Sequence, residues 1–352
     1  MRTVSWDAEN HAVRMIDQRR LPAELLWIEL KDVDQVVAAI RDMAVRGAPA
    51  IGVAAAFGFA LAAFHSPAST TDALWKDLEV AAESLRQSRP TAVNLVWALE
   101  RMLQLARRIE PQEPGLIRTL LLEEAERLAD EDVEVNRRMG QYGAELINDG
   151  DTVIHHCNTG ALATVDYGTA LGVIRTAHEQ GKHVHVLVDE TRPRLQGARL
   201  TAWELEQYGI PYEIITDNAA GYFLRSGQVA AVFVGADRVA ANGDVANKVG
   251  TYMLALAAND NNVPTYSVVP TSTIDLSISS GDHIPIEERD PSEVLDLQRN
   301  GQPIAPEESR ARNPAFDITP HHLIAAIITE VGILRPPYET SLRLAVKETQ
   351  RP

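Results

Sequence analysis

The chain holds one cysteine, Cys157, in His156-Cys157-Asn158-Thr159-Gly160, directly after the β-branched run Thr152–His156. A thiol where a strand gives way to a helix can be activated by backbone N–H groups and the helix dipole; as a small hydrophobe it could equally be buried and inert. Asp237 follows another apolar run, Val232-Phe233-Val234. Desolvation there would raise its pKa and let it donate a proton near neutrality, unless it only pairs with Arg238. A third run continues as Asp189-Glu190-Thr191-Arg192-Pro193-Arg194-Leu195-Gln196-Gly197-Ala198-Arg199. Its three arginines, glutamine and two acids could bind an anion and hydroxyls, or form a solvated loop. Asp217, after a fourth run, reads as a helix cap. Asn247-Lys248, Arg46-Gly47-Ala48-Pro49 and Arg89-Pro90-Thr91 each stand at an expected helix start. An amide, an ammonium or a guanidinium beside open helical N–H groups can grip a phosphate.

Other chemistries find little support. No G-x-G-x-x-G follows a strand, no P-loop occurs, and Gly-x-Ser-x-Gly is missing. The pairs His155-His156 and His321-His322 are adjacent, so neither presents two rings on one helical face as i,i+4 ligands do. A single cysteine excludes an internal disulfide and a multi-thiolate metal site. Neither a metal nor a cofactor is expected. The formal net charge is −16, which lacks the field of a nucleic-acid or anionic-membrane binder. The first 30 residues hold no apolar signal region. The run Ala48–Phe64 falls short of the roughly 20 residues of a membrane span and reads as a buried core helix. A cytoplasmic location follows as the expectation.

The elements that must position these groups change character near Asn148-Asp149-Gly150-Asp151. Before it come short strands within the first 30 residues and then helices: from Asp32 through Met43, the Ala-rich run, and about 71–87, 91–108 and 115–147. Beyond it, Thr152–His156, His183–Val188, Tyr212–Thr216, Val229–Val234 and Thr265–Val269 alternate with helical stretches at 161–179, 198–208, 218–225 and 247–258. Such alternation predicts a parallel sheet covered on both faces, with ligands beyond the strands' carboxyl ends. The expected fold is α/β: a Rossmann-like parallel-sheet C-terminal domain, 149–352, and a smaller, mainly helical N-terminal domain, 1–148. Residues 281–317 read as a surface loop or flap.

Seven motifs in order carry a resemblance. They are Arg46-Gly47-Ala48-Pro49-Ala50-Ile51-Gly52, Arg89-Pro90-Thr91-Ala92-Val93-Asn94-Leu95, Cys157-Asn158-Thr159-Gly160, Asp189-Glu190-Thr191-Arg192-Pro193, Leu195-Gln196-Gly197-Ala198-Arg199, Gly235-Ala236-Asp237-Arg238 and Asn247-Lys248-Val249-Gly250-Thr251. Together they resemble the S-methyl-5-thioribose-1-phosphate isomerases of methionine salvage. The wider family includes ribose-1,5-bisphosphate isomerases and regulatory subunits of the translation-initiation guanine-exchange factor. The resemblance implies an aldose–ketose isomerase without a cofactor, acting on a small sugar phosphate and assembled as a homodimer. It implies Cys157 and Asp237 as catalytic residues, and Arg46, Gly47, Ala48, Arg89, Gln196, Asn247 and Lys248 as substrate contacts. The regulatory subunits are not expected to keep the Cys-plus-Asp pair, so its presence favours an enzyme. An isomerase of 5-deoxyribose 1-phosphate or ribose 1,5-bisphosphate, or a non-catalytic sugar-phosphate-binding regulatory subunit, is the alternative.

Overall fold

A computed structural model describes residues 1–90, 92–109 and 112–349. The chain forms two compact units, Met1–Asn136 with Gly160–Gly168, and Arg137–Thr159 with Thr169 onward.

The first unit opens with an antiparallel sheet of β1 (Val4–Asp7), β2 (Ala12–Ile16) and β3 (Trp27–Leu30). Helix α1 (Val33–Arg41) starts where Asp32 accepts the Gln35 N–H at 2.8 Å, a side-chain cap for an otherwise orphaned donor. Helix α2 (Ala48–His65) is almost wholly buried. It is long and apolar enough to cross a membrane, yet 72% of it is buried inside the protein. Its cover comes from Val36 and Ile40 of α1, Leu78 and Leu85 of α3 (Thr71–Ser88), and Leu95, Leu99 and Met102 of α4 (Val93–Arg108). Each fully buried side chain of that size contributes about 1.5–3 kcal/mol, so this helix is the unit's core. Helix α5 (Pro114–Ala144) follows.

Gly160–Gly168 returns to complete this unit. The Thr3 N–H donates to the Val165 carbonyl at 2.7 Å, and Gln18 Nε2 to the Leu162 carbonyl at 2.6 Å. The Val165 N–H donates to the Asp132 carboxylate at 2.8 Å. The expected helix over 161–179 therefore begins only at α6 (Ala170–Glu179), preceded by a single 3₁₀ turn at Ala161–Ala163. Left-handed Tyr167 and Gly168, at φ +78° and +96°, separate the two. Residues up to Asn136 group with the first unit and Arg137 onward with the second, a division that lies within α5.

The second unit continues through β4 (Thr152–His155), β5 (His185–Asp189), α7 (Ala202–Tyr208), β6 (Tyr212–Ile215), α8 (Ala220–Arg225) and β7 (Ala231–Val234). Then come β8 (Arg238–Ala240), β9 (Val245–Lys248), α9 (Thr251–Asp260), β10 (Thr265–Val268), β11 (Ile274–Asp275) and α10 (Ser292–Leu295). The chain ends with β12 (Gln298–Arg299), β13 (Gln302–Pro303), β14 (Phe316–Thr319), β15 (Ala326–Thr329), β16 (Gly332–Leu334) and α11 (Tyr338–Thr349). Seven strands form one sheet in the order β16-β15-β10-β7-β4-β5-β6, parallel except for β16. All four residues of β7, β10 and β15 are buried, as strands covered on both faces must be. Successive strands run from β4 outward to β6, and the chain then returns to β4's other side as β7. The order thus reverses between β4 and β7, the place where open sheets of this kind hold ligands.

A second sheet, β11-β8-β9-β14, was not expected from the sequence. It places Asn247 and Lys248 on a strand rather than at a helix start. Both are buried and pair with β14, Asn247 opposite Asp317 and Lys248 opposite Phe316.

Candidate active site

Strand register aligns the candidate residues. His155 of β4 lies beside Phe233 of β7, and on the other flank beside Val188 of β5. Continuing past these rungs, Asp237, Cys157, Asp189 and Asp217 emerge at one edge of the sheet, on four neighbouring strand ends.

Cys157 is buried, with 6% of its surface exposed, and its backbone is left-handed at φ +68°. Its N–H donates to Thr191 Oγ1 at 2.8 Å, and its carbonyl accepts from Thr201 Oγ1 at 2.7 Å. Asn158 Nδ2 donates to the buried Glu204 Oε1 at 2.8 Å. No α-helix starts at Ala161, so the helix dipole expected to act on the thiol is replaced by this threonine scaffold.

His156 and Asp189 form a buried pair, Nδ1 to Oδ2 at 2.8 Å, and Nε2 lies 3.1 Å from the Val249 carbonyl. A carbonyl only accepts, so Nε2 carries a proton. Burial opposes charge on this ring. The hydrogen bond and charge of Asp189, with Cys157 and Asp217 nearby, outweigh it and raise the pKa to about 9. Burial pushes Asp189 up to about 6 against the pull of His156. The pair is therefore imidazolium and carboxylate at neutrality. The neighbouring His155 is the reverse case. Burial, then the charge on His156, pushes it down to about 3, so it stays neutral, sharing a hydrogen bond with Thr159 Oγ1 at 2.8 Å.

Sequence reasoning missed the role of Asp217. It does not cap its own helix. Its two carboxylate oxygens accept the Thr191 and Arg192 N–H groups, each at 2.7 Å. Ligand atoms of His156, Asp189 and Asp217 lie within 4.8 Å of one another, spacing that could suit a metal ion. Asp189 Oδ2 is bonded to His156 and both Asp217 oxygens to backbone N–H groups, while Asp189 Oδ1 has no partner among the described residues.

Two of the three arginines of the loop after β5, Arg192 and Arg194, turn to the 290s segment, and Arg199 Nη1 donates to the Arg194 carbonyl at 3.5 Å. Arg194 pairs with Glu293 at 2.8 Å, and Arg192 Nη2 donates to the Val294 carbonyl at 2.9 Å. Gln196 is buried, and its Oε1 has no hydrogen-bond partner among the described residues, leaving an acceptor available. The next residue must be glycine, because a Cβ on Gly197 would lie 1.7 Å from the Asp189 carbonyl oxygen.

Asp237 is half-buried between β7 and β8, and its N–H donates to the Ala246 carbonyl at 2.9 Å. Arg238 pairs with Asp275 at 3.6 Å. Lys248 is buried, its Nζ donating to the Ala315 carbonyl at 2.6 Å and lying 4.8 Å over the Phe316 ring. Asn247 Nδ2 donates to Thr251 Oγ1 at 3.0 Å. The start of α9 is already engaged: Asp317 accepts the Gly250 and Tyr252 N–H groups at 2.7 and 3.2 Å. The open helix N-terminus expected beside Lys248 is thus capped by a carboxylate.

In the first unit, Arg46 and Arg89 are half-buried. Gly47 stands at φ +94° before α2, with no side chain capping that helix. A Cβ there would lie 2.2 Å from the Ala163 carbonyl oxygen, so neither the space nor the backbone admits another residue. Ala48 is the first residue of α2. Thr91, of the Arg89-Pro90-Thr91 motif, lies outside the described residues.

Known proteins share this sequence and fold over nearly the whole chain. A methylthioribose-1-phosphate isomerase of Pelotomaculum thermopropionicum is 54% identical, covering 99% of this chain and 95% of that protein. The crystal structure of 5-methylthioribose 1-phosphate isomerase from Pyrococcus horikoshii OT3 superposes with a TM-score of 0.92 at 46% identity, covering 99% of this chain and 96% of that one. A structure described as the translation initiation factor eIF-2B, subunit delta, from A. fulgidus gives a TM-score of 0.88 at 44% identity, covering 99% of both chains. Residues 44–336 match the Initiation factor 2 subunit family, and the chain belongs to that family.

Proposed function

We propose that the chain is an aldose–ketose isomerase that converts 5-methylthioribose 1-phosphate to 5-methylthioribulose 1-phosphate in methionine salvage. The observation that carries this reading is the placement of Cys157 and Asp237 on the two strand ends that flank the reversal of strand order. Full-length identity to proteins named for this reaction supports it. A C1 phosphate blocks the spontaneous ring opening of free sugars. The enzyme must therefore protonate the ring oxygen and then move hydrogen from C2 to C1. Asp237 is the acid for ring opening. Cys157 takes the C2 proton or stabilises the enolate-like transition state. Gln196, Asn247 and Lys248 hold the phosphate and sugar as pre-organised polar groups.

Turnover of 5-methylthioribose 1-phosphate, 5-deoxyribose 1-phosphate and ribose 1,5-bisphosphate by the purified protein tests the reading. Preference for the first is expected; binding of all three without turnover overturns the reading in favour of a regulatory subunit. Solvent deuterium at C1 of the product identifies proton transfer rather than a hydride shift. We propose a cytoplasmic location, and the net charge of −16 supports a protein without a nucleic-acid or anionic-membrane partner. It is a homodimer, for which exposed Tyr222, Met253 and Leu256 on α8 and α9 offer an apolar face.

A further inference from the structure

Thr191 is a β-branched residue at φ +62°, a conformation such residues rarely adopt unless their surroundings impose it. The surroundings here are specific. Asp217 grips the Thr191 and Arg192 N–H groups with both carboxylate oxygens. The Thr191 hydroxyl donates to the Asp189 carbonyl at 3.0 Å and accepts the Cys157 N–H at 2.8 Å. Cys157, itself left-handed, thus ends on a threonine hydroxyl at its N–H and on another, Thr201, at its carbonyl. Its neighbour His156 is tied through its ring to Asp189 and Val249. The backbone that aims the only thiol is held from two neighbouring strand ends, and one carboxylate fixes the loop that does most of the holding.

We propose that Thr191, locked in its left-handed conformation by Asp217, is a positioning residue that fixes the backbone of Cys157 and so the direction of its thiol. The proposal rests on Cys157 serving the isomerase reaction above, but its test does not depend wholly on that reaction. Thr191→Val keeps the shape and removes the hydroxyl; Thr191→Ser keeps the hydroxyl. Asp217→Asn keeps the shape but turns an amide N–H toward a backbone N–H.

For each variant we would measure kcat, KM, the thermal midpoint and the rate of Cys157 alkylation by iodoacetamide in the substrate-free protein. In Thr191→Val, kcat falls about 10²-fold, the cost typical of a misplaced reacting group, while KM barely moves. Alkylation speeds up several-fold as the buried sulfur is released, and Thr191→Ser restores both values. A folded Thr191→Val with wild-type kcat and alkylation rate overturns the proposal, as does a Thr191→Ser as impaired as the valine variant. If Thr191→Val does not fold, Asp217→Asn decides: the valine pattern supports the proposal and wild-type values overturn it. Should the wild type prove inactive on the sugar phosphates, the alkylation rates alone decide whether Thr191 positions the thiol.

Discussion

The chemistry proposed for Asp237 and Cys157 makes separate demands on each. Asp237→Asn keeps shape and hydrogen bonding but removes the transferable proton. Its kcat should fall by at least about 10²-fold, the lower end for a general acid, with KM changed far less because the substrate is held by other groups. Steady-state kinetics check this, and a variant within a few-fold of wild type would return Asp237 to a structural role. Cys157 is the only cysteine, so alkylation has a single target. Iodoacetamide should inactivate the enzyme and substrate should protect it; full activity after stoichiometric labelling would remove the thiol from the reaction. His156 makes a different demand, on stability. Its pKa rises from 6.5 to about 9 on folding, so the folded state holds a proton that the unfolded state releases. The resulting stability is fully present below pH 6.5 and is lost as pH rises toward 9. Denaturant midpoints across that range should fall for wild type and lose this component in His156→Gln. His155 acts in the opposite sense: its pKa falls to about 3 on folding, so its contribution is lost as pH drops below 6.5.

At the scale of elements, the loop from Asp189 to Gly197 is the most constrained part of the site. Gly197→Ala would push a methyl group into the Asp189 carbonyl. A stability loss of about 1–3 kcal/mol, typical of overpacking, should appear in unfolding midpoints together with reduced activity. The strands that carry the site could be read from sequence because parallel strands buried on both faces leave contiguous apolar runs, as in Val232-Phe233-Val234. For the same reason the positions of Cys157 and Asp237 just beyond those runs were legible. The small sheet was not: its strands span two to four residues, and β9 pairs Lys248 with Phe316, far along the chain. Asp217 and Asp317 were illegible as clamps because each serves backbone N–H groups remote in sequence, at Thr191–Arg192 and Gly250–Tyr252. Short-range patterns reveal a cap only when the cap and its donor are neighbours.

For the molecule as a whole, the interrupted first unit governs how it can be divided. A fragment ending at residue 148 lacks Leu162 and Val165, which accept from Gln18 and Thr3, and the Val165 N–H that reaches Asp132. Such a fragment should exchange the amide protons near Thr3 and Gln18 faster than the full chain does; equal protection would mean that the returning segment adds nothing. Assembly offers another test at this scale. For the proposed homodimer, Met253→Glu on the exposed face of α9 should shift the light-scattering mass from dimer toward monomer, and an unchanged mass would clear that face of a role. Helix α2 also has a consequence during synthesis. Two of the helices that cover it, α3 and α4, lie after it in the chain. Until α4 has emerged from the ribosome, the nascent protein displays a helix apolar enough to be taken for a membrane span. The order of synthesis therefore leaves this apolar helix uncovered until later segments emerge, and apolar surface exposed in that way is prone to aggregation.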